Sequence, residues 1–191
     1  MNIFFSAEMN MAGRTNKPGW GTVKKCLSAK NPRELISLIG DLYSLSEDNR
    51  EFLHARCSLG DPLEPYKRRI ADALYPDPLR NQPVRLSEGR RAISEYKKAV
   101  GDPFGVLELM VHYVECGTRF TVEYGDIDEA FYDSLCSMFM KVLEILEESD
   151  RRTVEQYLPR LRGIVEKANH VGWGYYDTVS AALAEAFPGK G

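Results

Sequence analysis

The sequence predicts an all-α fold of about eight helices arranged as antiparallel hairpins, forming either a helical bundle or a short α–α superhelix. Three observations predict it. Apolar residues recur at steps of three and four, the spacing of one helix face. The segments that carry them open on capping residues or Asp-Pro pairs and close on glycines. No four-residue alternation of the strand type occurs between them.

Taken in order, Asn31 with Pro32 and Glu34 makes a capping-box start. Leu35, Ile36, Leu38, Ile39 and Leu42 give that helix its apolar face. Ser46 opens a second helix, with Phe52, Leu53, Ala55 and Leu59 expected inside and Gly60 as its stop. Asp61-Pro62 starts a third through Leu63, Tyr66, Ile70 and Leu74. A loop from 76 to 86 with three prolines follows, and Ser87 restarts a helix carrying Ile93, Tyr96 and Val100. Asp102-Pro103 begins a long helix that Gly125 ends near Tyr124. Asp126 is the expected cap of the next, whose face reads Ile127, Phe131, Leu135, Met138, Val142 and Ile145. Asp150 opens another with Val154, Leu158, Leu161, Val165 and Ala168; Pro159 is expected to kink or split it, and Gly172 to stop it. A last helix covers roughly 175–187. Turns of two to four residues make neighbours antiparallel.

The chain has 191 residues, 43% of them hydrophobic and 28% charged, which suits a folded domain with its own core. Residues 1–20 are expected to be a flexible N-terminal segment and 21–191 a single all-helical domain. Cys26, Cys57, Cys116 and Cys136 contain no close pair for a zinc clip, so reduced core thiols in a cytoplasmic protein are expected. The apolar run at the start is three residues, far short of a secretory h-region. The longest elsewhere, 106–114, is interrupted by Glu108 and His112, so no membrane span is expected.

Several segments resemble an uncharacterised family of bacterial proteins, a domain of unknown function. They are 22–27 (TVKKCL), 32–43 (PRELISLIGDLY), 49–56 (NREFLHAR), 86–98 (LSEGRRAISEYKK), 101–103 (GDP), 115–129 (ECGTRFTVEYGDIDE) and 172–174 (GWG). Together they reach across about 22–178. The resemblance implies an all-helical, bacterial-type cytosolic protein and supplies neither an activity nor catalytic residues. The tripeptide Gly-Trp-Gly occurs at 19–21 and 172–174 and holds both tryptophans, read as aromatic plugs at two corners.

Two groups of residues are candidates for binding. On the long helix, Glu108, His112, Glu115, Arg119 and Glu123 fall within an arc of about 80° at 100° per residue. The ordinary reading is a solvated stripe laced by i,i+4 pairs: Glu108–His112, Glu115–Arg119 and Arg119–Glu123. The functional reading is a groove that binds a small ligand or a metal through Glu108, His112 and Glu115. However, the order is His-x-x-Glu rather than the Glu-x-x-His of di-iron bundles, and it occurs once. The second group is the basic stretch 67–98, net +5: Lys67, Arg68, Arg69, Arg80, Arg85, Arg90, Arg91, Lys97 and Lys98. It is either a nucleic-acid surface, a solvated face, or a partner of the acidic segment 101–150, net −10.

The acids Asp126, Asp128, Glu129 and Asp133 fail the EF-hand pattern and suit a helix start instead. His54 and Cys57 share a helix, but no nucleophile elbow, phosphate loop or dinucleotide fingerprint is present. No catalytic residue, metal or cofactor is therefore assigned. The leading expectation is a protein–protein interaction module that binds a partner, or itself, through a groove between hairpins. Nucleic-acid binding by 67–98 and ligand binding on the 108–123 stripe are the alternatives.

Overall fold

The structure, a computed structural model, describes residues 18–57, 59–77, 79 and 82–188. Most of the expected flexible segment, residues 1–17, lies outside the described residues, as do Pro78 and the candidate Arg80. The described residues form nine α-helices and no strand. The fold class read from the periodicity is therefore the one observed. The chain divides into two compact units, Met1–Leu45 and Ser46–Gly191, where the sequence suggested one body from residue 21.

The first unit contains α1 (Trp20–Ser28) and α2 (Pro32–Leu45). The capping box forms as its sequence demands. The Glu34 amide donates to Asn31 Oδ1 at 3.0 Å, and the Asn31 amide donates to Glu34 Oε2 at 2.8 Å. No residue of either helix is buried. Trp20 is 69% exposed, so it plugs no corner.

The second unit runs through α3 (Glu47–Arg56), α4 (Glu64–Leu74), α5 (Leu86–Ala99), α6 (Pro103–Tyr124), α7 (Glu129–Glu147), α8 (Arg151–Lys167), a 3₁₀ turn (Ala168–His170) and α9 (Tyr175–Ala186). At its centre lies α6, packed against α4, α5, α7 and α8. This is the bundle alternative. The sequence reason is the apolar coverage of α6: Leu107, Leu109, Met110, Val111, Tyr113 and Val114 are all buried. Two glycines let neighbours close on it. A Cβ at Gly105 would overlap the buried Tyr96 ring of α5, and one at Gly89 would stand 2.8 Å from Tyr113 Cε2.

Several local expectations need correction. Phe52 (42% exposed) and Leu59 (61%) lie outside the core, because α3 packs mainly on α5 and stops at Arg56, short of Gly60. Asp61 bonds the Leu63 amide, but α4 begins at Glu64. Pro159 does not split α8. It sits on the exposed side, where water can satisfy the carbonyl that lacks its proline partner. None of the four cysteines is buried: Cys26 and Cys57 are exposed, Cys116 and Cys136 half-buried, and all are free thiols. Trp173 is 58% exposed at φ 60°, stacked at 6.3 Å on Tyr132 rather than plugging a corner.

Asp128, not Asp126, caps α7, accepting from the Phe131 amide at 2.8 Å. Asp126 instead accepts from the Tyr132 hydroxyl at 3.0 Å. Asp128→Ala is expected to cost about 1 kcal/mol. Asp126→Ala should cost less, since Tyr132 Oη keeps Thr121 Oγ1 at 2.6 Å. Thermal midpoints of the two variants check the order.

Candidate functional site

The α6 stripe does not behave as one surface. Its first half is covered from both sides. Lys67 of α4 reaches Glu108 Oε1 at 2.6 Å, and Arg160 of α8 reaches Glu108 Oε2 at 2.5 Å. The same guanidinium forms a two-point pair with Glu115, at 2.8 and 2.7 Å. Burial pushes the Glu108 carboxyl up, but the hydrogen bonds of Lys67 and Arg160 hold it below the usual carboxylate value. These partners are 41 and 52 positions away from Glu108, so the expected i,i+4 pairing gives way to tertiary pairing.

The second half organises aromatic rings. Arg119 Nε bonds Glu123 at 2.9 Å, the one expected i,i+4 pair that forms. The Tyr75 hydroxyl donates to the same Glu123 carboxylate. The Arg119 guanidinium lies 4.4 Å from the Tyr75 ring centroid, and Phe120 and Tyr124 complete the cluster.

Between the halves, His112 Nε2 stands 3.2 Å from the Lys67 carbonyl oxygen. That oxygen only accepts, so the neutral ring carries its proton on Nε2. Burial lowers the imidazole's proton affinity. Cys116 Sγ is 3.5 Å from the same nitrogen, and burial pushes its thiol up to about 12. A neutral imidazole beside a neutral thiol is not an activated nucleophile. In the sequence, His54 with Cys57 is a pair without a nucleophile motif and is set aside; His112 with Cys116, at a helical i,i+4 spacing, was equally legible. Among the described residues no group of three His, Cys, Asp or Glu side chains is placed to hold a metal ion.

The basic candidates are mostly committed. Lys67 pairs with Glu108, Arg69 with Glu95 at 2.8 Å, Arg85 with Glu88 at 2.6 Å, and Arg91 with Glu95 at 2.6 Å. Arg68 lies 3.4 Å from Glu51 and 3.7 Å from Glu47. Burial raises the Glu51 carboxyl despite Arg69 and Arg68 beside it. Of these five cations only Lys67 meets the acidic 101–150 segment; the rest are balanced by α3 and α5. Arg90 meets no carboxylate among the described residues. Its guanidinium bonds Ser134 Oγ at 3.0–3.1 Å and the Ser134 carbonyl at 2.9 Å, and lies over the Tyr113 ring. The Lys97 and Lys98 side chains make no hydrogen bond or ion pair among the described residues.

Sequence reasoning missed a groove. It opens between α5, α6 and α7 with a volume of about 470 Å³. Ile93, Val106, Met110, Met138 and Ile145 give it an apolar lining; Arg90, Ser94, Lys97, Lys141 and Glu144 form its polar rim. Met110 and Met138 read as core residues and are buried, so only their edges reach the groove; Lys97 read as part of a basic patch. The weak signal was Lys141, the one cation of α7. A second hollow of about 220 Å³ lies on the other flank of α7, between it and α9, with Glu144, Glu147 and Glu185 at its edge.

No family model matches this chain, and neither does any curated protein or solved structure. No helix among the described residues is long and apolar enough to cross a membrane.

Proposed function

We propose that this chain is a protein-binding helical module that docks a partner protein in the groove between α5, α6 and α7. The observation that carries this reading is the groove's make-up: an apolar lining under a charged rim, the anatomy of a protein-docking surface. The groups a catalytic or ligand-binding reading of α6 would use are committed elsewhere. Glu108 and Glu115 hold Arg160, Glu123 holds Arg119 and Tyr75, and Cys116 is a neutral thiol. The nucleic-acid alternative rests on Lys97 and Lys98, the candidate cations without a protein partner among the described residues. The resemblance to a bacterial family supports a cytoplasmic setting.

Ile145→Glu tests the proposal. Ile145 is 37% exposed on the groove wall, so a charge there spoils docking without entering the core. The wild-type protein is expected to retain a partner from a nuclease-treated lysate of its host, and Ile145→Glu to lose it. Leu79→Glu, at a 96% exposed position that does not line the groove, should retain it. Retention that disappears on nuclease treatment would favour the nucleic-acid reading. Equal retention by Ile145→Glu removes the groove from consideration.

A further inference from the structure

The helices α5 and α7 run in the same direction, since each is joined to α6 by a short turn and packs antiparallel to it. One level of the groove is fixed by Arg90 of α5 bonding Ser134 of α7. Seven residues further along each helix, about 10 Å at the helical rise, stand Lys97 and Lys141. Both line the groove, and both are exposed without a hydrogen bond or ion pair among the described residues. With both ammonium groups on the rim of one groove, a carboxylate seated in it is attracted by each. Arg90 adds a third positive charge with no carboxylate partner, against the single Glu144 among the described lining residues.

The shape is equally selective. Each long wall contributes residues over two helical turns, and the floor between them is apolar. A convex, narrow element fits such a trough, and helix-in-groove recognition has this form. Ile145 offers the exposed apolar contact, and the buried Met110 and Met138 beneath it are unbranched side chains that can shift to admit an apolar anchor.

We infer that the groove receives an amphipathic helix of a partner protein, with apolar anchors at i, i+3/i+4 and i+7 and an acidic residue seated between Lys97 and Lys141. The inference rests on the docking reading above and adds the partner's chemistry to it.

The test uses the full chain and a fluorescent, stapled helical peptide of about four turns. It carries leucines at i, i+3, i+4 and i+7 and glutamates on both flanks. Anisotropy should show saturable binding that weakens about tenfold or more when the glutamates become glutamines. Rising salt should weaken it further. The double variant Lys97→Glu with Lys141→Glu should lose the glutamate peptide by about tenfold or more and prefer a lysine-flanked peptide. Both sites are exposed, so the variant should keep the wild-type circular dichroism and thermal midpoint. Equal affinity for the glutamate and glutamine peptides overturns the acidic partner while leaving a docking groove. Laurate binding that shifts the Met110 and Met138 methyl signals, with no peptide binding, assigns the trough to a lipid and overturns it. No peptide binding, together with equal retention by Ile145→Glu, sinks the inference and the docking reading at once.

Discussion

Tyr113→Ala is expected to destabilise the protein by about 4 kcal/mol, the largest effect of any single change considered. Tyr113 has no exposed surface, and its ring lies against the Gly89 backbone. Its hydroxyl is 2.8 Å from Ser134 Oγ, and Arg90 covers its face at 5.7 Å from the centroid. Truncation removes a large apolar area, and Gly89 has no side chain with which to fill the space. The Arg90–Ser134 tie then loses the surface it rests on, so one end of the groove loosens as well. Tyr113→Phe separates packing from hydrogen bonding. It should cost only about 1 kcal/mol, because Ser134 keeps Arg90 as its partner. Urea unfolding at neutral pH measures both. A cost below about 1.5 kcal/mol for Tyr113→Ala would mean that α5 does not close on α6 as described.

Arg160→Gln comes next, at about 2 kcal/mol. The value lies between those of exposed and buried pairs because the Arg160 side chain keeps 30% exposure while that of Glu108 keeps 16%. The change strands Glu115 and leaves Glu108 with Lys67 alone, and it unpins α8 from α6. Its pH dependence has a definite sign. Glu108 is held below its ordinary value of 4.5 in the folded protein, although burial alone would raise it. Its pairing therefore stabilises the fold above that ordinary value, and the contribution fades as pH falls through the lowered one. Arg160→Gln removes part of the pull, so the gap between variant and wild type should be widest near neutrality and narrow below about pH 4.5. Thermal midpoints from about pH 7 to about pH 3.5 test this. Adding Glu108→Gln should cost less than the two single changes summed. A gap that stays constant across the range would mean that the ion cluster does not carry the effect.

The sequence by itself determined eight of the nine helices among the described residues, all but α1, and several of their ends. Asn31, Ser46, Asp102 and Asp150 accept from the amides their positions imply, since capping acts over two or three residues. It also identified α6 as central, because apolar residues around a whole circumference have to be covered on every side. The α6 stripe was legible as a set of polar residues on one arc, and so were the cations of 67–98.

Only the tertiary structure decided what those residues meet. Arg160 lies on α8, far along the chain from Glu108 and Glu115, and no local spacing connects them. Asp126 and Asp128 are equally good caps on paper, and the Tyr132 hydroxyl assigns the first to another task. The groove is a property of three helix surfaces together. Ile145 is apolar whether a neighbour or an open trough lies above it, and which of these occurs depends on how α5 and α7 splay across α6. Helical periodicity is written locally in the order of side chains; the partner of a charge and the opening of a cleft depend on distances in space that the order alone does not contain.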